Sequence, residues 1–131
     1  MNDVHPNLAL LRQLTPGDFS GTPEIFAEDV VFHYYNPKLP DLHGDYAGLV
    51  GIKSFFGKLG TKTKGSFRVN PVSVSAVGDE LVVMQTVNTL TIDGNDIAID
   101  VVLVWRIVDN RIKEIWDIPS IYTKHVDTAS S

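Results

Sequence analysis

The chain has 131 residues, of which 44% are hydrophobic and 21% are charged, and it contains no cysteine. These values predict one globular domain over residues 1–131, and they exclude a disulfide framework, a thiol nucleophile and a zinc–thiolate site. The formal net charge of −5 argues against a nucleic-acid partner, because binding to phosphates requires a clustered basic face.

Membrane and export signals are weak in this sequence. The first 14 residues lack a basic segment followed by a long apolar run, and the most apolar stretch, Val101–Trp105, is too short to span a bilayer. We therefore expect a cytoplasmic protein with no membrane partner. The C-terminal residues 123–131 are polar and are expected to fray.

Helix signals dominate the first half of the chain. Leu8, Leu11 and Leu14 recur at helical spacing and predict a first helix over residues 7–14. Threonine–proline pairs, beginning at residues 15 and 22, are typical of helix starts and predict a second helix that reaches about Ala27. A third helix is predicted over residues 48–59, with an apolar stripe formed by Leu49, Ile52, Phe55 and Phe56.

Strand signals begin with Val30–Tyr35, which is β-branched and aromatic, and return after residue 66. Residues 36–45 contain two prolines and a glycine and are predicted to form a loop. Four strands are predicted after the third helix, because three short turn sequences separate β-rich runs that would pair as antiparallel neighbours. Pro71 interrupts the first of these runs and predicts a bulge or an edge strand.

The strand sequence "IAIDVVLVWRIV", residues 97–108, is apolar on both faces. A strand with one solvated face would alternate more cleanly, so both faces of the sheet are predicted to be covered. Three short helices suffice for one face, and a second copy of the chain is the predicted cover of the other. The alternative is a broad apolar outer face that stays exposed.

The order of elements resembles the nuclear transport factor 2-like superfamily, and within it the SnoaL-like polyketide cyclase and ketosteroid isomerase-like group. The resemblance covers about residues 8–121 and depends on "FAEDVVFHYYNP", "GIKSFF" and "WRIVDNRIKEIWDIPS" in these places. It implies a cone-shaped α+β fold, in which a strongly curved antiparallel sheet packs on three helices from the N-terminal half. It also implies an apolar pocket on the concave face and a homodimer through the convex face.

The resemblance argues against three known reactions of this fold. Ketosteroid isomerases carry a tyrosine and two aspartates at the positions of Leu10, Tyr34 and Leu103, and leucine can neither donate to an oxyanion nor take a proton. Polyketide cyclases pair an aspartate with a histidine, and of these positions Asp117 matches while Leu103 does not. The arginine–aspartate pair of limonene epoxide hydrolases falls on Val101 and Leu103.

Asp117 is the leading functional candidate, because it stands in the last predicted strand between Trp116 and Ile118. If its side chain points inward, burial would raise the pKa of its carboxyl and prepare it for proton transfer. The predicted catalytic residues are Asp117, Tyr34 and Asn88. Tyr34 and Asn88 would donate a hydrogen bond to an oxyanion or hold a water molecule. The predicted substrate-binding residues share the inward face and are Phe32, Phe55, Met84, Thr86, Leu103, Trp105 and Ile115. The alternative is that Asp117 caps a helix or pairs with a basic residue at the rim.

The loop "PDLHGDY" is predicted to lie near the mouth of the pocket, where Asp41, His43 and Tyr46 would gate access. His33 neighbours Tyr34 in its strand and is predicted to face outward as an interface or surface histidine. The spacing of His33, Asp41 and His43 matches no established metal-ligand pattern, and the nearby glycines lack the dinucleotide-binding spacing. No metal or cofactor is therefore expected.

Two functions remain open on the sequence. The first is a cofactor-independent enzyme that performs cyclisation, isomerisation or hydration on a small lipophilic ligand bearing oxygen, with Asp117 as acid and base. The second is a non-catalytic protein, which either binds such a ligand in the same pocket or serves as a dimeric scaffold.

Overall fold

The computed structural model of the protein describes residues 5–14 and 23–122. Their helices and strands follow one another as α1 (Pro6–Leu11), a 3₁₀ helix (Pro23–Ile25), β1 (Phe26–Tyr34), β2 (Gly44–Ala47), α2 (Gly48–Thr63), β3 (Arg68–Val77), β4 (Leu81–Ile92), β5 (Asn95–Val108) and β6 (Arg111–Pro119). No helix in this part of the chain has the length and apolar character that crossing a membrane requires.

The six strands form one curved sheet in the order β2-β1-β6-β5-β4-β3. Strands β3 to β6 pair as antiparallel neighbours, as predicted. The sheet is nevertheless mixed, because β1 runs parallel to β6. These two strands are separated by most of the chain, so no hairpin constrains their relative direction. The predicted α+β fold with a curved sheet is confirmed, and its antiparallel pairing is broken at this one pair.

Tight turns join the last four strands. Asp93 and Gly94 connect β4 to β5 with φ angles of 52° and 78°, and Asp109 and Asn110 connect β5 to β6 with φ angles of 52° and 63°. Two successive residues with positive φ are the signature of the type I′ turn, whose twist matches that of paired strands. The residue types predicted these hairpins because aspartate, asparagine and glycine tolerate the left-handed conformation.

The first two predicted helices differ from the structure. The prediction of a helix up to Ala27 is wrong at its C-terminal end: Pro23–Ile25 is a single 3₁₀ turn, and β1 already begins at Phe26. Residues 15–22 lie outside the described part of the chain. Helix α1 ends at Leu11, three residues early. Burial explains the strand, because Ile25, Phe26 and Ala27 lose nearly all their exposed surface against the core, which overrides local helix signals.

Strand β2 lies within the sequence predicted to be a loop. It has only four residues and pairs antiparallel with β1, so that Tyr46 lies opposite Phe32. A strand this short carries too little alternation to be recognised from its residues. Gly51, in the first turn of α2, allows β2 to approach the helix closely: a Cβ atom at this position would lie 3.1 Å from the carbonyl carbon of Tyr46, which would have to shift by a few tenths of an ångström.

Helix α2 is four residues longer than predicted and lies against β1 and β2. Ile52, Phe55, Leu59 and Thr63 are its buried residues and follow the predicted stripe. The helix ends where Lys64 adopts a left-handed conformation with a φ of 53°, and the N–H of Gly65 donates to the carbonyl of Gly60 at 2.9 Å.

Three shifts of register interrupt the strand pairing. The register between β3 and β4 shifts between Pro71 and Ser73, and β3 is also an edge strand, so both predicted consequences of Pro71 are confirmed. The other two shifts lie between Arg106 and Ile107, where β5 meets β6, and between Phe26 and Val31, where β1 meets β6. The concave face of the sheet encloses the core and a cavity between the sheet and the helices.

Candidate active site

Asp117 lies in the centre of the concave face, on β6, with β1 and β5 on either side. Tyr34 is its partner on β1 and Leu103 its partner on β5. The side chain is 9% exposed, and within the described residues its carboxyl group has no hydrogen bond or ion pair. Burial raises the pKa of Asp117 from 3.8 to about 7, because the charged form loses its hydration without gaining a partner.

Two cavities lie between the sheet and the helices, and Asp117 lines both. We call the cavity of about 300 Å³ that includes Tyr34 and Phe55 the first chamber. The second chamber has a volume of about 280 Å³ and includes Leu11 and Trp105. Most of the lining in each chamber is aliphatic or aromatic, as expected of a site for a lipophilic molecule.

Tyr34 brings a neutral hydroxyl group to the first chamber. Burial raises the pKa of Tyr34 to about 12, although a hydrogen bond from Asn36 opposes the shift. The side-chain amide of Asn36 donates to the Tyr34 hydroxyl oxygen at 3.1 Å. The phenol therefore keeps its own proton near neutral pH, and this proton has no acceptor among the described residues, so the hydroxyl can donate to a ligand.

Asn88 brings a second donor, and it lines both chambers. The hydroxyl of Thr86, which is 2% exposed, donates to Oδ1 of Asn88 at 2.9 Å. The hydrogen bond fixes which end of the amide is the acceptor, so the Nδ2 group of Asn88 is left with its two N–H donors. Thr86 lines neither chamber, and its hydroxyl group holds the side-chain amide of Asn88 in place.

The predicted substrate-binding residues divide between the two chambers and the core. Phe55 lines the first chamber, whereas the second is lined by Phe32, Met84, Leu103 and Trp105. The indole N–H of Trp105 is buried and has no hydrogen-bond partner within residues 5–14 and 23–122. Ile115 is fully buried and packs into the core, so it supports the site without lining either chamber.

Several lining residues were not predicted from the sequence. Phe56 comes from the middle of α2, and the others come from loops and from the ends of helices and strands; they include Arg12, Asn36, Lys38, Phe67, Ser120 and Tyr122. Only Phe56 carried a usable signal, since it belongs to the predicted apolar stripe of α2. The others reach the chambers through tertiary contacts that periodicity in one element does not reveal.

The residues predicted to gate the pocket line neither chamber. Asp41 forms an ion pair with Lys62 at 3.3 Å, and its side chain is mostly exposed. The ring of His43 accepts a hydrogen bond from the backbone N–H of Asn36, and the Tyr46 hydroxyl donates to the carbonyl of Leu42. These contacts brace the loop that holds Asn36 beside Tyr34.

His33 lies on the outer face of the sheet, opposite to Tyr34. Its two ring nitrogens lie 2.8 Å from a carboxylate oxygen of Asp45 and 2.9 Å from one of Glu114, and the ring stacks on Trp116. Partial burial lowers the pKa of His33, but the hydrogen bonds and charges of the two carboxylates outweigh it and raise the pKa above its usual value.

Metal-ligating residues do not converge in the part of the chain that the structure describes. No group of three or more histidine, aspartate or glutamate side chains there is arranged to hold a metal ion. His33, Asp41 and His43 each contact different partners, so they do not form a site together.

Sequence comparison identifies one family. The SnoaL-like domain matches residues 8–115, which is most of the chain. No curated protein matches the chain in sequence.

Solved structures of similar fold extend the comparison. TerC, crystallised with polyporic acid, has a TM-score of 0.75 and 23% identity, and the match covers 88% of this chain and 92% of TerC. A nuclear transport factor 2-like protein from Anabaena variabilis has a TM-score of 0.71 and 16% identity, with 92% and 94% of the two chains covered. A polyketide cyclase candidate from Acidithiobacillus ferrooxidans has a TM-score of 0.67 and 20% identity, with 92% of each chain covered.

At sequence identities below 25% the similar solved structures establish only the fold, whereas the match to the family model establishes family membership. Residues 8–115 include the long helix and the strands up to the middle of β6, and the fold agrees with that of the structural relatives. The chain therefore belongs to the SnoaL-like domain family and has the nuclear transport factor 2-like fold.

Proposed function

We propose that this protein binds a small lipophilic ligand bearing oxygen in its two chambers, and that Asp117 exchanges a proton with the bound ligand. The protein would then be a cofactor-independent acid–base catalyst of cyclisation, isomerisation or hydration. The observation that carries the proposal is the buried, unpaired carboxyl group of Asp117, which lines both apolar chambers.

The electrostatic situation of Asp117 suits proton transfer. A carboxyl group with a pKa of about 7 exists in both protonation states near neutral pH, so it can accept a proton and return it without a large penalty in either direction. A general base also needs a nearby donor to stabilise the negative charge that develops on the substrate oxygen. Asn88 lines both chambers and Tyr34 lines the first, and each has a donor to offer.

The simplest reaction of this kind takes a proton from the carbon next to a carbonyl group. The C–H bond breaks, the proton passes to the Asp117 carboxylate, and the electron pair moves onto the carbonyl oxygen to form an enolate. The amide of Asn88 or the hydroxyl of Tyr34 donates a hydrogen bond to this oxygen. Return of a proton to the same or another carbon completes an exchange or an isomerisation.

A neutral ketone in deuterated water tests this step without knowledge of the natural substrate. We expect 2-tetralone to exchange its α-hydrogens for deuterium faster in the presence of the protein, as followed by proton NMR. Asp117→Asn should lower the catalysed rate by a factor of about 100 or more, the contribution typical of one acid–base group. Asp109→Asn is the matched control, because it makes the same change at an exposed turn residue that already has a positive φ.

The exchange measurement also separates the two functions left open by the sequence. Leu10 and Leu103 stand where catalytic relatives carry polar groups, and they favour a binding protein without chemistry. That alternative predicts that 2-tetralone binds and perturbs the carboxyl NMR signal of Asp117, while the exchange rate stays at the level of Asp117→Asn. Such a result would remove the catalytic part of the proposal and leave the binding part.

We also propose that two copies of the chain associate through the convex face of the sheet. On this face Val102 lies opposite Ile118 and Val104 opposite Trp116. Val102 is 36% exposed and Ile118 48% exposed, which is unusual for adjacent large apolar residues on a sheet face. Polar side chains border these apolar residues. Arg106 forms ion pairs with Glu80 and Glu114, and His33 also contacts Glu114.

Substitution of Val102 tests the dimer. We expect the wild-type protein to sediment as a dimer at micromolar concentration, and Val102→Lys to sediment as a monomer, since a buried unpaired ammonium group opposes association. Val50→Lys is the control, because Val50 is 83% exposed on α2, away from the sheet's convex face. A wild-type monomer at these concentrations, or an unchanged dimer in Val102→Lys, would contradict this interface.

A further inference from the structure

The two chambers meet at a small set of shared residues. Phe56, Phe67, Asn88 and Asp117 line both chambers, and every other lining residue belongs to only one. We call these four residues the waist. Two of them are aromatic and two are polar, so the waist combines apolar walls with the donor of Asn88 and the carboxyl group of Asp117.

Apart from the waist residues, the two chambers have apolar linings that come from different secondary-structure elements. The body of the first chamber is formed by aliphatic and aromatic side chains of α2, β4 and β5, among them Leu59, Leu90, Ile97, Ile99 and Val101. The body of the second is formed by side chains of α1, β1, β3, β4 and β5, among them Leu8, Leu11, Phe32, Val69, Met84 and Trp105. Each body can hold a hydrocarbon arm.

Charged groups other than Asp117 stand at the outer ends of the chambers. Lys38 lines the first chamber beside the largely exposed ring of Tyr122, with its ammonium 4.8 Å from the ring centre, and Arg12 is exposed at the rim of the second. Tyr34 and Asn36 lie in the first chamber and bond to each other. The polar groups that a ligand could contact from either chamber are therefore Asn88 and Asp117, at the waist.

We propose that the ligand of this site has two apolar arms, one in each chamber, joined by an oxygen-bearing carbon that lies at the waist beside Asn88 and Asp117. This inference rests on the proposed function and specifies the class of ligand. Ligand pockets usually have volumes of about 300–1,000 Å³; the first chamber is at the lower limit of this range and the second is just below it. A molecule that occupies both chambers would have its central carbonyl or enol group at the waist, where proton transfer is proposed.

Isomeric ketones test the position of the oxygen. 5-Nonanone has two four-carbon arms, whereas 2-nonanone has the same formula with one long arm and a methyl group. We expect 5-nonanone to bind at least about threefold more tightly, because 2-nonanone with its carbonyl group at the waist places only a methyl group in one chamber and must coil its seven-carbon arm to stay in the other. The dissociation constants are measured by NMR titration of the wild-type protein, with the carboxyl signal of Asp117 reporting on the waist.

Filling one chamber at a time tests the two arms. Ile97→Trp enlarges a half-buried residue of the first chamber and Val69→Trp one of the second. Each variant should weaken 5-nonanone about tenfold. Each should leave 2-hexanone, which has a single four-carbon arm, within about twofold of wild type, because that arm can enter the open chamber. Val50→Trp, on the exposed face of α2, is the control.

The possible results separate this inference from the proposed function. Equal affinity for the two nonanones, two equivalents of 5-nonanone per chain, or no effect from one of the chamber variants would overturn the two-armed ligand while ketone binding at Asp117 stands. If none of the ketones binds or shifts the Asp117 signal, the proposed function itself fails. If a tryptophan variant does not fold, intermolecular NOEs from 5-nonanone to Ile97 and to Leu11 in the wild-type protein decide the same point.

Discussion

Between pH 4 and pH 7 the free energy of unfolding is expected to fall by roughly 3 kcal/mol more in the wild-type protein than in Asp117→Asn. The effect follows from the pKa of Asp117, which is about 7 in the folded protein and 3.8 when the carboxyl group is fully hydrated. Asparagine has nearly the same shape and cannot ionise, so it removes this contribution while preserving the packing.

The sign of the effect follows from proton binding. Below pH 3.8 the carboxyl group is protonated in both the folded and the unfolded chain, and ionisation costs nothing. Between pH 3.8 and about 7 the unfolded chain releases the proton while the folded chain keeps it, so rising pH favours unfolding. Above pH 7 both states are ionised, and the folded protein carries the full cost of a buried carboxylate.

Urea unfolding of the two proteins at pH 4, 5.5, 7 and 8 measures this difference. All other titrating groups are common to both proteins, so subtraction of the two pH profiles isolates Asp117. Asp109→Asn is the control, because it makes the same substitution at an exposed turn residue far from the buried site. Parallel profiles for wild type and Asp117→Asn would show that the carboxyl group is well hydrated, and they would remove the main support for its role in proton transfer.

Replacement of Phe55 by alanine is expected to lower the free energy of unfolding by about 3–5 kcal/mol, the usual cost of removing a buried phenylalanine ring. Phe55 is 1% exposed and lies at the centre of a group of aromatic rings. Its ring centre is 4.8 Å from that of Phe32, 4.7 Å from Tyr34, 5.1 Å from Tyr46 and 5.0 Å from Phe56. Removal of the ring therefore eliminates the packing of Phe55 against residues of β1, β2 and its own helix α2.

Phe55→Leu provides the matched comparison, since it keeps most of the buried apolar volume and should cost less than half as much. The measurement is urea unfolding at pH 5, with the slope of the transition recorded for each variant. A loss below about 1 kcal/mol for Phe55→Ala would mean that the ring does not fill the core as the structure indicates. Because Phe55 also lines the first chamber, the alanine variant should in addition enlarge that chamber.

The aromatic group links stability to the site. Tyr34 contacts Phe55 on one side and is the cross-strand partner of Asp117 on the other. The packing of α2 on β1 therefore fixes the position of the Tyr34 hydroxyl relative to the carboxyl group. A substitution in the core can change the site without touching the ligand, so the stability and the exchange rate of each variant need to be measured together.

Local patterns in the sequence determined much of this molecule. The turns at Asp93 and Asp109, the stripe of α2 and the break at Pro71 depend on backbone preferences and on alternation within a few residues, which are encoded where they occur. The same alternation in β6 predicts that Asp117 faces the concave side, because its immediate neighbours Trp116 and Ile118 face the other way.

Only the tertiary structure decided what surrounds Asp117. The parallel pairing of β1 with β6 places Tyr34 beside it, and the waist brings Phe56 from α2 and Phe67 from a loop to residues of two distant strands. Strand β2 forms because its backbone can pair with the edge of β1 that β6 does not occupy. These arrangements depend on contacts between residues far apart in the chain, whose loop-closure entropy is balanced by burial of the whole core, so no single segment of the sequence specifies them.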